Sequence, residues 1–359
     1  MTSEDYIRKT FELASRAHGS TWPNPMVGAV IVKNDRIISE GLHQKKGGDH
    51  AEIDAIKKAK ESVNGATIYV NLEPCCHTNK STPPCSQRLI QEGIKKVVFC
   101  NIDPNENVNG KGIELLRSHG IEVIHGVLNE EGEKLNEVFF LSERLKRPFI
   151  HFKAATSLDG KIAMPSGESK WITGEEARLH VHHLRSLHQG IIIGGETLRQ
   201  DNPKLTVRIP GFAGVQPWRI VITKSGDLPE NHHLFQDEQK HRTIVYTQSH
   251  LGFNFPVEQV IKIKNIKEVM NDLYQKKIIS ILLESGAGLA SSFMKENLID
   301  RISLYQNLSF IGSGKDLFGE LNFLKLENRP VITNIETQWI GNDHYITGLI
   351  KCSQDSSKK

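Results

Sequence analysis

The order of the apolar runs constrains this chain most. Short runs bounded by turn residues alternate with amphipathic stretches, which predicts α/β architecture with mostly parallel sheets covered on both faces. Strands are expected first over residues 27–32, 36–40, 66–71, 97–100 and 121–124. Between and around them, helices are expected over 4–18, 51–60, from about 85, and over 112–118, with Thr2 and Asp5 spaced as a capping box. Around residues 141–148 the pattern breaks into a charged stretch (Glu143, Arg144, Lys146, Arg147) that ends at Pro148. Strands then resume over 149–154, 190–193, 219–222, 243–246 and 278–284, with helices over 174–187 and 290–296. Thr173 and Glu176 are spaced to cap the first of these helices. Two domains follow, 1–146 and 147–352, with the polar residues 353–359 as a frayed tail.

Composition narrows the function. With 38% hydrophobic residues in 359, the chain can build sizeable cores, so wholesale disorder is excluded. A net charge of only +3 argues against a long polyanion as partner, so small-molecule substrates are expected rather than nucleic acid. No apolar run approaches the roughly 18 residues of a membrane span, and the start, Met-Thr-Ser-Glu-Asp-Tyr, lacks the basic-then-apolar form of a signal peptide. A cytoplasmic enzyme without membrane partners is expected, and a homo-oligomer is compatible with this reading.

Five cysteines is an odd number, and three of them, Cys75, Cys76 and Cys85, fall within eleven residues. That is metal chemistry rather than a disulfide framework. A catalytic zinc takes three protein ligands and keeps one position for water. His50, Cys75 and Cys85 supply an imidazole and two thiolates at expected helix starts, where the positive helix end favours anionic ligands. Glu52 stands two residues from His50, close enough to serve the water without binding the metal. Zinc deaminases work this way: the metal lowers the pKa of its water towards 7, hydroxide attacks the carbon bearing the exocyclic amine, and the glutamate carries the protons. Nine residues separate the two cysteines where the usual signature has two. Cys76 is taken as a bystander, because adjacent cysteines rarely ligate one metal well. The competing reading is a closed structural zinc site with His77 as fourth ligand.

Longer segments sharpen this. His50-Ala51-Glu52, then Asn71-Leu72-Glu73-Pro74-Cys75-Cys76-His77 and Thr82-Pro83-Pro84-Cys85, resemble the deaminase half of the bifunctional riboflavin-biosynthesis deaminase–reductase family. Asn24-Pro25-Met26-Val27-Gly28 and Gly41-Leu42-His43-Gln44 fit its upstream segments. The resemblance implies a cytidine-deaminase-like three-layer domain holding one zinc ion per chain. It also implies a pyrimidine ribotide pocket lined by Asn24, His43, His77 and Lys80. The loop between the cysteines is one residue longer than is usual in the family, near Ser81.

In the second domain, Ile193-Gly194-Gly195 and Ser285-Gly286-Ala287-Gly288 follow apolar runs, where glycines let a phosphate approach a helix start. Neither is a full dinucleotide fingerprint. Gly312-Ser313-Gly314-Lys315 is no phosphate-binding P-loop, since Ser309 and Asp316 stand where that motif needs Gly and Ser or Thr. The segments 153–161, 169–173 and 197–208 resemble the reductase half of the same family, which implies a dihydrofolate-reductase-like domain using NADPH. By that resemblance Ala155, Trp171, Thr197, Asp201 and the turn Gly286, Ala287, Gly288 hold the cofactor. Ser169 and Leu205 flank the substrate, Arg185 and Arg208 take its 5′-phosphate, Glu284 meets the pyrimidine edge, and Lys153 lies near the reacting sugar. Thr223-Lys224 replaces the family's usual Asp-Ser, and Lys224 is a candidate for the NADPH 2′-phosphate. His180, His182, His183 and His188 read as an exposed helix face rather than a second metal site.

The expected activity has two parts. The first is zinc-dependent deamination of 2,5-diamino-6-ribosylamino-4(3H)-pyrimidinone 5′-phosphate. The second is NADPH reduction of 5-amino-6-(5-phosphoribosylamino)uracil to the ribityl product. The alternatives are a nucleic-acid base deaminase fused to a nucleotide-binding regulator, and a non-catalytic sensor with structural zinc.

Overall fold

A computed structural model describes residues 1–77, 83–249 and 259–351. The chain forms two compact units, Met1–Lys146 and Arg147–Lys359. The frayed-tail expectation for 353–359 lies outside the described residues. Among those described, no helix is long and apolar enough to cross a membrane.

The first unit runs α1 (Ser3–Ser15), β1 (Gly28–Lys33), β2 (Arg36–Leu42), α2 (Ala51–Lys58), β3 (Thr67–Leu72), α3 (Cys85–Gln91), β4 (Lys96–Asn101), α4 (Lys111–Ser118), β5 (Glu122–His125), α5 (Asn129–Leu135) and α6 (Glu137–Leu145). The Thr2–Asp5 capping box is formed on both sides. The sheet order is β2-β1-β3-β4-β5. It is mixed rather than mostly parallel, because β1 pairs antiparallel with both β2 and β3. The hairpin turn explains the first of these pairings: Asn34 and Asp35 both take left-handed backbone, φ 49° and 59°, as a tight two-residue connection requires. Alternation along β1 feeds two cores. Ala29 and Ile31 pack with Ala51, Ala55, Leu89 and Leu116 on one face. Val30 and Val32 pack with Tyr6, Ile7 and Leu13 on the other. The result is three layers.

The second unit runs β6 (Phe149–Thr156), β7 (Lys161–Ala163), α7 (Glu175–Ser186), β8 (Gly190–Gly194), α8 (Gly195–Asp201), β9 (Trp218–Thr223), α9 (His233–Gln236), β10 (Thr243–Thr247) and β11 (Gln259–Lys262). It continues α10 (Ile266–Gln275), β12 (Ser280–Leu283), α11 (Ala287–Lys295), β13 (Arg301–Asn307), β14 (Lys315–Asp316), β15 (Val331–Ile340) and β16 (Asp343–Lys351). Its main sheet has the order β11-β10-β9-β8-β12-β6-β13-β16-β15. From β11 to β13 every pairing is parallel, and β16 and β15 then close the edge antiparallel. Ile150, Phe152, Ile192, Ile220, Ile281, Leu283 and Phe293 form its main core. Residues just beyond the carboxyl ends of β6, β8 and β12 therefore converge, as ligand-binding groups do in parallel sheets.

Two local expectations are corrected. Thr173 does not cap α7; Gly174 is the N-cap residue, and its N–H donates to the Asp343 carboxylate at 2.7 Å. A partner from the distant β16 thus replaces the local box. The histidines on and after α7 are not an exposed face either. His188 is buried and bonds His151 (3.2 Å), His180 bonds the Tyr305 hydroxyl (2.7 Å), and His182 accepts the Arg208 N–H; only His183 is exposed.

Candidate functional sites in the two units

In the first unit, three elements deliver the metal-type ligands. His50 is the N-cap residue of α2, Cys75 follows β3, and Cys85 opens α3. The His50 Nδ1 atom lies 3.6 Å from Cys75 Sγ and 3.3 Å from Cys85 Sγ. All three ligand atoms fall within 4.8 Å of one another. Nitrogen and sulfur ligands round a tetrahedral zinc sit about 3.6 Å apart, so the donor set fits that ion. His77 is not part of the group, which weighs against the closed site. Cys76 is turned to the Asn107 carbonyl and Cys100 to that of Leu128.

Glu52, in the first turn of α2, is 3% exposed, and its Oε2 has no hydrogen-bond partner among the described residues. Burial, reinforced by Cys75, raises its carboxyl above the ordinary range. A buried carboxylate oxygen without a partner, beside three metal-type ligands, is placed to take and return a proton. The Cys75 segment is anchored by its neighbour Glu73. That carboxylate accepts the backbone N–H groups of Asp103, Gly110 and Gly112.

Asn24 and His43 are brought together: Asn24 Nδ2 donates to His43 Nε2 at 3.1 Å, and His43 Nδ1 donates to the Asp49 carbonyl. The His43 ring lies edge-on to His50, centroids 5.4 Å apart. Asn71 and Asn136 pin the Met26–Gly28 backbone that follows Asn24. His77 follows Cys76 and is half-buried, whereas Lys80 lies outside the described residues. Gly41 lets β2 approach the start of α2, since a Cβ there would lie 2.1 Å from the Ala51 carbonyl oxygen and 2.4 Å from the Ala55 nitrogen. Gly41→Ala is expected to push away the turn carrying His50 and Glu52, costing about 1–3 kcal/mol. Urea unfolding with metal analysis checks this, and an unchanged midpoint with full metal content refutes it.

In the second unit a cavity of about 780 Å³, within the usual range for ligand pockets, gathers most of the remaining residues. Lys153 and Ala155 come from β6, Ser169 and Trp171 from the loop between β7 and α7, and Arg185 from α7. Thr197 and Asp201 come from α8, Leu205 and Arg208 from the loop after it, and Glu284 from the end of β12. Gly286, Ala287 and Gly288 form the start of α11. The helix begins three residues earlier than expected, which puts Gly288 in its first turn. Its N-cap, Gly286, makes no side-chain capping bond. The nearest atom to a Cβ at Gly286 would be 3.9 Å away, and at Gly288 none lies within 4 Å. An uncapped helix start with open space before it suits a phosphate of a dinucleotide. Lys224 is outside this lining, exposed just beyond β9.

One end of the cavity is strongly polar. Arg185 forks onto Glu284, Nε to Oε1 at 2.6 Å and Nη2 to Oε2 at 2.9 Å, and Nη1 donates to the Thr206 carbonyl. Burial alone would raise the Glu284 carboxyl, but Arg185 and then Lys153 outweigh it and hold it at about 2. Lys153 is lowered, chiefly by burial. Leu205 is buried with a left-handed backbone, φ 50°, a strained conformation of the kind found at ligand clamps. Sequence reasoning missed His182 and Arg178, which also line the cavity. The available signal for His182 was its place one turn before Arg185 on the same face of α7. Arg178 lies over the Trp171 ring, 4.6 Å from its centroid.

Comparison with known proteins matches each half of the chain to a family. Residues 1–101 match the cytidine and deoxycytidylate deaminase zinc-binding region, and residues 148–344 match the RibD C-terminal domain. A riboflavin biosynthesis protein RibD from Actinobacillus pleuropneumoniae is 40% identical, over 96% of this chain and 94% of its own. The solved structure of Acinetobacter baumannii RibD superposes with a TM-score of 0.89 at 34% identity, covering 97% of this chain and 99% of that one. A Thermotoga maritima structure does so at 0.86 and 37%, over 98% and 99%. It is described as a diaminohydroxyphosphoribosylaminopyrimidine deaminase/5-amino-6-(5-phosphoribosylamino)uracil reductase. With a cytidine-deaminase-like first domain and a RibD-type second domain, the chain belongs to the RibD family of riboflavin biosynthesis, whose members join a deaminase to an NADP-dependent reductase.

Proposed function

We propose that the first unit deaminates 2,5-diamino-6-ribosylamino-4(3H)-pyrimidinone 5′-phosphate and the second reduces the resulting 5-amino-6-(5-phosphoribosylamino)uracil. The observation that carries this reading is the buried Glu52 carboxylate, its Oε2 without a hydrogen-bond partner among the described residues, beside His50, Cys75 and Cys85. Those three residues would hold a single zinc ion, which would supply the Lewis acidity that activates water. Glu52 is placed to take a proton from the water whose oxygen bonds the ring carbon and to return it to the amine, so that the C–N bond breaks and ammonia leaves. Asn24 and His43, fixed in mutual orientation, line the pocket for the pyrimidine ribotide together with His77 and Lys80.

In the second unit a bound NADPH would be the source of the hydride delivered to C1′ of the ring-opened sugar. The α11 start, Ala155, Trp171, Thr197 and Asp201 would hold that cofactor. Ser169 and Leu205 flank the substrate, and Lys153 presents its ammonium near the sugar. Glu284 accepts from the pyrimidine edge with the lone pairs Arg185 leaves, and Arg208 with Arg185 receives the phosphate.

The test is incubation with the diaminopyrimidine ribotide. Ammonia is expected without NADPH, and NADPH oxidation only once the deaminated compound is present. NADPH oxidation without ammonia release, or neither event, sinks the reading.

A further inference from the structure

We infer that Gln216 is a positioning residue of the reductase, its side-chain amide holding the segment that presents Leu205 and Arg208 to the substrate. This rests on the substrate placement proposed above.

Residues 202–217 connect α8 to β9 and contain neither helix nor strand. Leu205 and Arg208 stand in the cavity wall, whereas Val207 between them is buried outside the lining. The Val207 N–H donates to Gln216 Oε1 at 2.8 Å, and Gln216 Nε2 donates to the Val207 carbonyl at 3.1 Å. One side chain thus satisfies both backbone groups of one residue, as a neighbouring strand would. Only this orientation of the amide meets the carbonyl with a donor and the N–H with an acceptor. The base of the clamp is rigid. Pro217 follows it, and the Trp218 N–H at the start of β9 donates to the Gln189 carbonyl at 2.8 Å.

The other anchors of the segment explain what the clamp adds. Arg219 holds the Lys204 carbonyl at 3.3 Å, Arg185 holds that of Thr206 at 3.2 Å, and His182 takes the Arg208 N–H. Arg208 itself is exposed, and its guanidinium leans on the Thr206 hydroxyl at 3.1 Å, a group of the same segment. Fixing Val207 therefore limits the swing of Thr206 and Arg208 together. Gln216 lies outside the cavity lining, so it acts through these neighbours and not on a ligand. Without it, a smaller fraction of molecules holds the segment in its binding arrangement, and apparent affinity falls by that fraction while the bound complex is unaltered. A raised substrate KM with unchanged kcat is the signature.

Two variants test this in the full chain. Gln216→Met keeps the length and removes both hydrogen bonds; Gln216→Glu keeps the acceptor and removes the donor. The probes are 5-amino-6-(5-phosphoribosylamino)uracil and its dephosphorylated counterpart, followed by NADPH oxidation, with and without Arg208→Ala. Gln216→Met should raise the KM for the phosphorylated probe about tenfold. Its kcat and its KM for NADPH should stay within about twofold of wild type, which also reports a folded reductase. Calorimetric binding of the phosphorylated probe without NADPH should weaken by the same factor as KM. Gln216→Glu should lose less, and it carries the test if Gln216→Met does not fold. Preference for the phosphorylated probe should shrink in Gln216→Met, with little further loss when Arg208→Ala is already present, because the two act as one unit. The inference is overturned if both variants bind the phosphorylated probe like wild type, or if kcat and the NADPH KM move as far as the substrate KM. Simple addition of the Gln216→Met and Arg208→Ala effects on preference overturns it too. If Arg208→Ala loses the preference while Gln216→Met keeps it, the phosphate placement stands and only the glutamine's role falls. If wild type does not distinguish the probes, the placement itself is wrong and this inference falls with it.

Discussion

Glu52→Gln is expected to lower the rate of ammonia release about 10³-fold while the protein keeps its metal. The substitution preserves shape and hydrogen-bonding capacity but removes the basic oxygen. The wild-type side chain is 3% exposed with Oε2 unpartnered among the described residues, so bulk water has little access to replace it as proton carrier. His50, Cys75 and Cys85 are untouched by the change, so metal content measured by elemental analysis should match wild type. NADPH oxidation with the deaminated probe should also be unchanged, because every residue assigned to that reaction lies in the second unit. Ammonia release within a few-fold of wild type would remove Glu52 from the mechanism.

The second large effect is expected from Arg185→Leu. Arg185 and Glu284 side chains are only 12% and 13% exposed, and removing the guanidinium strands a carboxylate in the cavity wall. Breaking such a pair costs about 3–5 kcal/mol. Reductase kcat/KM should fall by about 100-fold or more, because the Thr206 carbonyl loses its donor as well. The pH dependence has a definite sign. The folded-state pKa of Glu284 lies near 2, below its ordinary 4.5. The pair's contribution is therefore complete above pH 4.5 and is lost as pH falls toward 2. The stability gap between wild type and variant, read from urea midpoints, should be widest at neutral pH and narrow between pH 4.5 and 3. A gap that stays constant across that window contradicts the ion pair as its source.

The local signals were readable where one element suffices to make them. Thr2 and Asp5 cap α1 with groups three residues apart, and the β1–β2 turn is settled by Asn34 and Asp35 themselves. The zinc-type donors were visible because metal geometry restricts which residues can serve. Failures came where a distant strand overrides a local pattern. Thr173 and Glu176 have cap spacing, but Asp343 reaches Gly174 from β16. His188 looks like a surface histidine until His151 of β6 meets it, and His151 in turn bonds Ser303 of β13 at 2.8 Å. Glu284 was legible as a group at a strand end, but its fork with Arg185 joins residues 99 positions apart. The β15–β16 hairpin gave no early signal because β15 is mostly exposed along its length and lacks the alternation that marks a half-buried strand.

The strand order of the second unit also sets a timetable for synthesis. β6 is its first strand to leave the ribosome, yet it lies between β12 and β13, whose partners for Phe149 and His151 are Ser280 and Arg301. The middle of this sheet must wait about 130 residues for its neighbours, during which apolar Ile150 and Phe152 have no sheet to join. The first unit meets no such delay, since β3, β4 and β5 pair in the order in which they are made. A nascent chain halted near residue 280 would thus carry a completed first unit and an unclosed second one. Slow or interrupted translation is therefore expected to expose the reductase half, rather than the deaminase half, to proteolysis, which limited digestion of stalled chains would read.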